Sequence, residues 1–540
     1  MIARYRGLLV TGLLITVGVA IVLLLAGCAG SASQSGASAG PVSTTFTYDT
    51  YTQVIVGWDP SAENSNSIIA LANVYETLTK YNAVTEKVDP LLATSWSTSP
   101  DALTWTFQLR PDVYFHTGRL MTAQAVKAAI ERTITLNQGA AYIWSPVKSI
   151  ATPNSSTIVF HLKYAAPLDV VASAGYAAYI FDTKASGNEP LAKWFEAGHE
   201  AGTGPYAVQT WNSGQENELV LTAFPKYWRG WSGTHYTRVV FRVVPQATTA
   251  AQLLTSGQVN FVEQMSPVLW ASLKTNPQVQ LLTVPLWQNL LGEMNCKSGP
   301  LADLTVRRAV SYAIDYKGII AALKGAAVLS GGGLVPPGLW GHFDGLPGYT
   351  YDSSKAAQLL NSVGYGPGQK PMNLTLTLTQ GDANEQLVAT IMKSNLAKLN
   401  VNVRIQPLAW PTQWAKAQSS DLSKRQDILL FYWWPDYADP YSWFASLLHT
   451  EAKVYFNLSY FSNPQLDEMM ARAEGLAATN RAQATALYRQ MQIIVLQQAP
   501  VLLLYNMNGQ FAALKSVGNL QINPAYANVV FVYDLEPLPR

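Results

Sequence analysis

Residues Phe431 to Pro440 read FYWWPDYADP: four consecutive aromatics, then two carboxylates, Asp436 and Asp439, each beside a proline. A carboxylate walled by rings sits in a low local dielectric, where an opposite charge is attracted strongly if the ligand supplies it. A cation suits such a place, a primary amine above all, with Trp433, Trp434 and Tyr437 as the surrounding rings. The same residue types also serve plainer ends. Asp near Pro caps turns, and aromatics fill cores. Where the segment stands in the fold decides between these readings.

The elements around it place it at a sheet edge. Asp427-Ile428-Leu429-Leu430 is a short apolar run of strand type, and Pro435 and Pro440 bar any strand or helix from continuing. The strand is therefore expected to end near Trp433 or Trp434 and open into a tight loop. Upstream, Leu374, Leu376 and Leu378 alternate with threonines; Val388, Ile391, Met392, Leu396 and Leu399 follow at helical spacing; then Val401, Val403 and Ile405 alternate again. Strand, helix, strand predicts a right-handed crossover in a parallel sheet. In open α/β sheets, ligands bind beyond the carboxyl ends of the strands, which is where this loop would lie.

Other chemistries find little support. None of the six histidines, His116, His161, His199, His235, His342 and His449, pairs with another His or with Cys at metal-ligand spacing. There is no H-E-x-x-H, no G-x-S-x-G elbow and no P-loop. Gly202-Thr203-Gly204-Pro205-Tyr206-Ala207 fits GxGxxA on paper, but no strand precedes it and Pro205 interrupts it, so a turn where chains cross is expected. No catalytic residue, metal site or cofactor is expected, and Cys296 reads as a small buried side chain.

Composition narrows the class. The chain has 540 residues, 13% charged and 49% hydrophobic, with net charge +2 and no basic block; nothing favours nucleic acid, and two or three domains are expected. Sixteen Trp and 27 Tyr supply flat amphipathic side chains suited to clefts as well as cores. At the start, Arg4 and Arg6 precede an apolar run from Leu8 to Leu25 and then Leu25-Ala26-Gly27-Cys28. Such a start reads as a secretory signal, residues 1–27, against the alternative of an uncleaved anchor. Residues 28–43, rich in Gly, Ser and Ala, read as a flexible tether with a mean reach of roughly 20 Å.

Along the rest, Phe46 to Val56 reads as a first strand and Ile68 to Thr79 as a short helix. DALTWTFQLR (Asp101 to Arg110) and Ser156 to Lys163 alternate as half-buried strands, with a helix between them capped by Thr122. These suggest a small α+β unit. Leu219 to Thr222 and Arg238 to Val244 read as strands. Gln465 to Gly475 and Arg481 to Gln498 read as helices, Pro500 to Tyr505 as a buried strand, and the tail as a segment that returns to an earlier sheet.

Seven phrases in order resemble the family 5 extracellular solute-binding proteins, the substrate receptors of peptide- and nickel-type ABC importers. They are VYETLTKYN (Val74 to Asn82), PLLATSW (Pro90 to Trp96), LTWTFQLRPDVYFHTG (Leu103 to Gly118), GTGPY (Gly202 to Tyr206), VRRAVSYAIDYKGII (Val306 to Ile320), YDSSKAAQLLNSVGY (Tyr351 to Tyr365) and WWPDYADP (Trp433 to Pro440). The resemblance implies an α/β, two-lobe periplasmic-binding-protein-like fold with an extra α+β domain inserted in the first lobe. Lobe I would comprise 44–77, 202–294 and 509–540, the insert 78–201, and lobe II 295–508. The start resembles a bacterial lipobox, with lipidation of Cys28 and an exported chain held on the outer face of the cell membrane. The implied partners are a small-molecule or peptide ligand and ABC permease subunits, with the receptor a monomer.

The implied function is capture of oligopeptides by hinge closure, without catalysis, with Asp436 meeting the peptide's α-amino group. Pro435 and the added rings from Tyr432 to Trp434 depart from the peptide binders and resemble members that bind oligosaccharides, so a sugar receptor stays open. A nickel-chelate receptor and an exported hydrolase are weaker alternatives. Tyr48, Trp58, Asn64, Trp287, Asn289 and Trp410, near predicted strand ends, are further candidates to face the cleft.

Overall fold

A computed structural model describes residues 42–539, apart from 53, 56, 64 and 213–217. The signal segment, Cys28 and nearly all of the tether lie outside the described residues, as does Asn64. Among the described residues, no helix is long and apolar enough to cross a membrane.

One eleven-stranded sheet organises the chain. Two long antiparallel strands, Val279–Met294 and Val501–Leu514, form its middle. On one side, Ala512 and Ala513 pair with the short strand Phe261–Val262, which leads on to Thr45–Thr50, Arg238–Val243, Glu218–Ala223 and Tyr206–Asn212. On the other side, Asn289 to Met294 pair with Ile428–Trp433, followed by Met372–Thr379 and Val401–Leu408. The long strands lose register between Pro285 and Asn289. Proline has no N–H to give the ladder, so a break is expected there. Only the start of the tail, Phe511 to Leu514, joins an earlier sheet; beyond it Val517–Gly518 pairs with Glu536–Pro537 in a small sheet of their own. The strand read as Pro500 to Tyr505 runs on to Leu514. The division expected after residue 294 falls at the far end of a ladder already shared with Ile428–Trp433, not at the register break.

The crossover forms as its pattern requires. Met372–Thr379 pairs in parallel with Val401–Leu408, and the helix Ala383–Ala397 connects them. Ile428–Trp433 adds in parallel on the other side, through Leu376–Ile428 and Thr377–Leu429. Strand residues alternate faces, and here both faces are covered. Leu429, Phe431 and Trp433 join the larger core, whereas Ile428 and Leu430 join a second one. An uninterrupted apolar run suits a strand covered on both faces.

A separate four-stranded antiparallel sheet, Ala93–Thr98, Thr104–Leu109, Thr157–Leu162 and Val147–Asn154 in spatial order, lies in the region expected to be α+β. The Thr122 side chain accepts from the Ala125 N–H and starts the helix Ala123–Leu136 over it. The GTGPY turn is the crossing that its glycines suggested. The Gly204 N–H donates to Val74 O at 2.9 Å, and a Cβ on Gly202 would lie 2.0 Å from that same oxygen.

Candidate functional site

The strand Ile428–Trp433 ends one residue before Trp434, and the chain turns through Pro435 to Pro440 into the helix Tyr441–Leu447. The two aspartates of this turn take different roles. Asp439 accepts from the Tyr441 N–H at 2.8 Å and from the Tyr488 hydroxyl at 3.3 Å. It is a turn cap within the core and does not border the aromatic cavity at this strand end. Asp436 does border it.

Asp436 is 4% exposed, and its backbone is pinned on both sides: its N–H donates to Ser442 Oγ at 2.8 Å, and its carbonyl accepts from Gly175 N at 2.9 Å. Oδ2 accepts from the Tyr142 hydroxyl at 2.6 Å, with Ser446 and Ser442 hydroxyls at 3.4 and 3.5 Å. No lysine or arginine pairs with it among the described residues. Burial pushes its carboxyl up to about 6, against the three hydroxyl donors, which pull it down. An acid so placed is ionised at neutral pH but under-solvated, and a cationic partner from outside would gain from it.

The cavity has a volume of about 280 Å³, near the low end of small-ligand pockets. Its wall is aromatic and acidic. Trp433 stands edge-on to Phe456 at 5.6 Å, and its buried Nε1 has no partner among the described residues. Trp434 Nε1 donates to the Tyr176 hydroxyl at 3.0 Å, and Trp410 Nε1 donates to Ser65 Oγ at 2.9 Å. The first bond joins the expected second lobe to the expected inserted domain, and the second joins it to the expected first lobe. Trp414 packs on Trp410 at 5.2 Å and also lines the space.

Besides Asp436, the wall carries Glu63, Glu263 and Glu385, and it contains no Lys, Arg or His among the described residues. Glu63 accepts from the Ser67 hydroxyl at 2.6 Å, and burial pushes it up to about 7. Glu263 accepts from Asn528 Nδ2 at 2.9 Å and is likewise pushed by burial to about 7. Glu385 accepts from the Thr379 N–H at 2.6 Å; burial, and then the nearby Asp382 charge, raise it. Among the described residues, no three His, Cys, Asp or Glu side chains converge as metal ligands would.

Of the residues singled out by sequence, Asp436, Trp433, Trp434 and Trp410 come together on this wall. The others do not. Tyr437 is 3% exposed and packed in the core behind the loop. Tyr48 is fully buried between Phe241 and Phe261, and its hydroxyl donates to Asn528 O at 2.8 Å. Trp58 is fully buried against Trp211, and Trp287 packs on Tyr81. Asn289 spends its polar atoms internally, accepting from Trp443 Nε1 at 2.7 Å and donating to Asn506 Oδ1 at 2.6 Å. The strand-end expectation fails for four of them: Tyr48 lies within the strand Thr45–Thr50, Trp58 lies well beyond it, and Trp287 and Asn289 lie inside the long strand Val279–Met294. All five side chains point into packing, because burial on a covered sheet, not position along a strand, decides which way they face.

Sequence reasoning missed Tyr51, Glu63, Tyr176, Glu263, Gln288, Glu385 and Trp414. For most of these no local signal exists. Glu385 had one. It lies in the first turn after Asp382, just past the end of Met372–Thr379, and the strand-end rule that pointed to Trp433 points there equally.

The model of the bacterial extracellular solute-binding proteins, family 5 Middle, matches residues 87–454. The probable D,D-dipeptide-binding periplasmic protein DdpA of Escherichia coli (strain K12) is 28% identical over 462 residues, covering 84% of this chain and 87% of its own. Heme-binding protein A of Haemophilus influenzae is 28% identical over 513 residues, covering 89% and 91%. Among solved structures, the periplasmic binding protein DppA from Helicobacter pylori in complex with peptide STSA superposes with a TM-score of 0.80 at 21% identity, over 92% of this chain and 99% of that one.

Proposed function

The chain belongs to the family 5 bacterial extracellular solute-binding proteins, and on that premise we propose that it is the receptor of an ABC importer that captures peptides through their free amino end. The observation that carries this reading is Asp436: a buried carboxylate on the cavity wall, positioned by Tyr142, Ser442 and Ser446, with no cation of its own chain beside it among the described residues. A peptide ammonium would supply the missing charge, and backbone polar groups and waters would take up the rest of the main chain. The relatives include proteins named for dipeptide binding, in keeping with a small peptide in a cavity of this size.

Capture proceeds by hinge closure, with the lobes swinging where the long strands lose register near Pro285 to Asn289. The Trp410–Ser65 and Trp434–Tyr176 hydrogen bonds would then belong to the closed form. Only a loaded, closed receptor need dock on the permease, so ligand binding shifts the population that delivers. The protein acts outside the cytoplasmic membrane, held by a lipid on Cys28, works as a monomer, and carries out no reaction of its own.

The test is calorimetric titration with a tripeptide and its N-acetylated form. The free amine should bind, and acetylation or Asp436→Ala should weaken binding by about 2–5 kcal/mol, the usual loss on removing one partner of a buried charge pair. Equal binding of both forms overturns the amine reading. A second reading, an oligosaccharide receptor, is favoured by the ring wall of Trp410, Trp414, Trp433 and Trp434. It requires sugar binding that survives Asp436→Ala and is lost with Trp433→Ala.

A further inference from the structure

Away from the Asp436 loop, the cavity carries a second acidic place with an unusual deficit. Glu263 follows the short strand Phe261–Val262, and Glu385 opens the helix Ala383–Ala397. They are 7% and 1% exposed. Each has one carboxylate oxygen accounted for, by Asn528 Nδ2 and by the Thr379 N–H. The other oxygens, Glu263 Oε2 and Glu385 Oε1, are buried and have no donor among the described residues, and the same is true of Gln288 Oε1 on the same wall. Three buried acceptors without donors, in a wall lacking any Lys, Arg or His among the described residues, disfavour a carboxylate and favour a group rich in donors. A buried polar group left unpaired is costly, and a buried charge more so. A ligand that brings several donors satisfies all three acceptors at once, whereas protons kept by the two glutamates would satisfy them only in part.

Tyr432 lines the cavity together with Glu385. Four residues further on, at most about 14 Å of extended chain, comes Asp436. A flexible ligand with a positive group at each end of an apolar stem spans such a gap, and the rings of Phe431 and Trp433 line the way.

We propose that the ligand is a dication: an amine held at Asp436 and a second ammonium or guanidinium group held by Glu263, Glu385 and Gln288, with no carboxylate of the ligand inside the cavity. This rests on the receptor reading above and narrows it. The second charge comes either from a lysine or arginine side chain of a peptide or from a free oligoamine.

The test is calorimetry on the ligand-stripped full chain with four probes: Ala-Lys-Ala amide, Ala-Lys-Ala free acid, Ala-Ala-Ala amide and 1,5-diaminopentane. Ala-Lys-Ala amide should bind at least about ten-fold tighter than the other two peptides, the scale of one buried charge pair. In an E263Q/E385Q double variant that advantage should vanish, the two amides being compared within the same variant. If that variant does not fold, the comparison on the unaltered chain decides alone. Lysine bringing no gain, or the free acid binding as well as the amide, overturns the proposal; if Ala-Ala-Ala amide still binds through Asp436, the peptide reading survives it. Binding of 1,5-diaminopentane without any peptide supports the dication and removes the peptide. Binding of none of the four removes both.

Discussion

The Tyr142 hydroxyl donates to Asp436 Oδ2 at 2.6 Å, joining a short helical turn beside the small antiparallel sheet to the loop after the strand Ile428–Trp433. The bond favours the ionised acid, whereas burial opposes it. Tyr142→Phe should therefore raise the Asp436 pKa above about 6 and weaken amine binding at neutral pH by about 1.5–3 kcal/mol, the range for a hydrogen bond to a charged group. Calorimetry across pH reads both effects, and a shift of the affinity profile toward higher pH separates this role from simple loss of packing.

Binding of an amine should strengthen as pH rises through about 6, because Asp436 must shed its proton to pair. The empty protein should change the other way. Burial raises Asp436 to about 6, and Glu63 and Glu263 to about 7, all above their ordinary values. The folded chain holds these protons more tightly than the unfolded one, a contribution to stability that is present in acid and lost as pH climbs through those values. Melting curves of the ligand-free protein should fall from about pH 5 to pH 8, and the rise in Tm on adding ligand should grow over the same interval. A ligand effect that shrinks with pH would contradict the pairing.

Asn289 should behave as a structural residue. Its amide oxygen holds the Trp443 indole N–H, and its amide nitrogen meets Asn506 and Leu334. Asn289→Leu leaves a buried indole donor unpaired and should cost about 1–3 kcal/mol of stability. Denaturant melts measure this, and the order of preference among ligands should stay unchanged.

Gly202 should not accept a side chain. A Cβ there would meet Val74 O at 2.0 Å, backbone against backbone, with no flexible group to give way. Gly202→Ala should lower stability by about 1–3 kcal/mol or more, as overpacking does. An unchanged melting temperature would mean that the crossing is looser than its geometry.

Much of the architecture could be read along the chain because it depends on local physics. Alternation in Leu374 to Leu378 and Val401 to Ile405 set two strands, and the helical spacing between them fixed a parallel crossover. Pro435 ended the strand after Trp433, and Thr122 started its helix. With those in hand, Asp436 and its rings fell at the carboxyl edge of the sheet, where Trp410 joined them. Tertiary structure decided what no local pattern encodes: which acids share a cavity and which stay without a partner. Asp436 and Asp439 stand three residues apart in one phrase, yet one faces open space and the other is spent on a helix start. Glu63, Glu263 and Glu385 look like any other glutamates in sequence; they meet because distant backbones converge through sheet pairing and close packing. Direction and burial of a side chain are properties of that convergence, and it was convergence that set Tyr48 and Asn289 inside the core and Glu385 on the cavity wall.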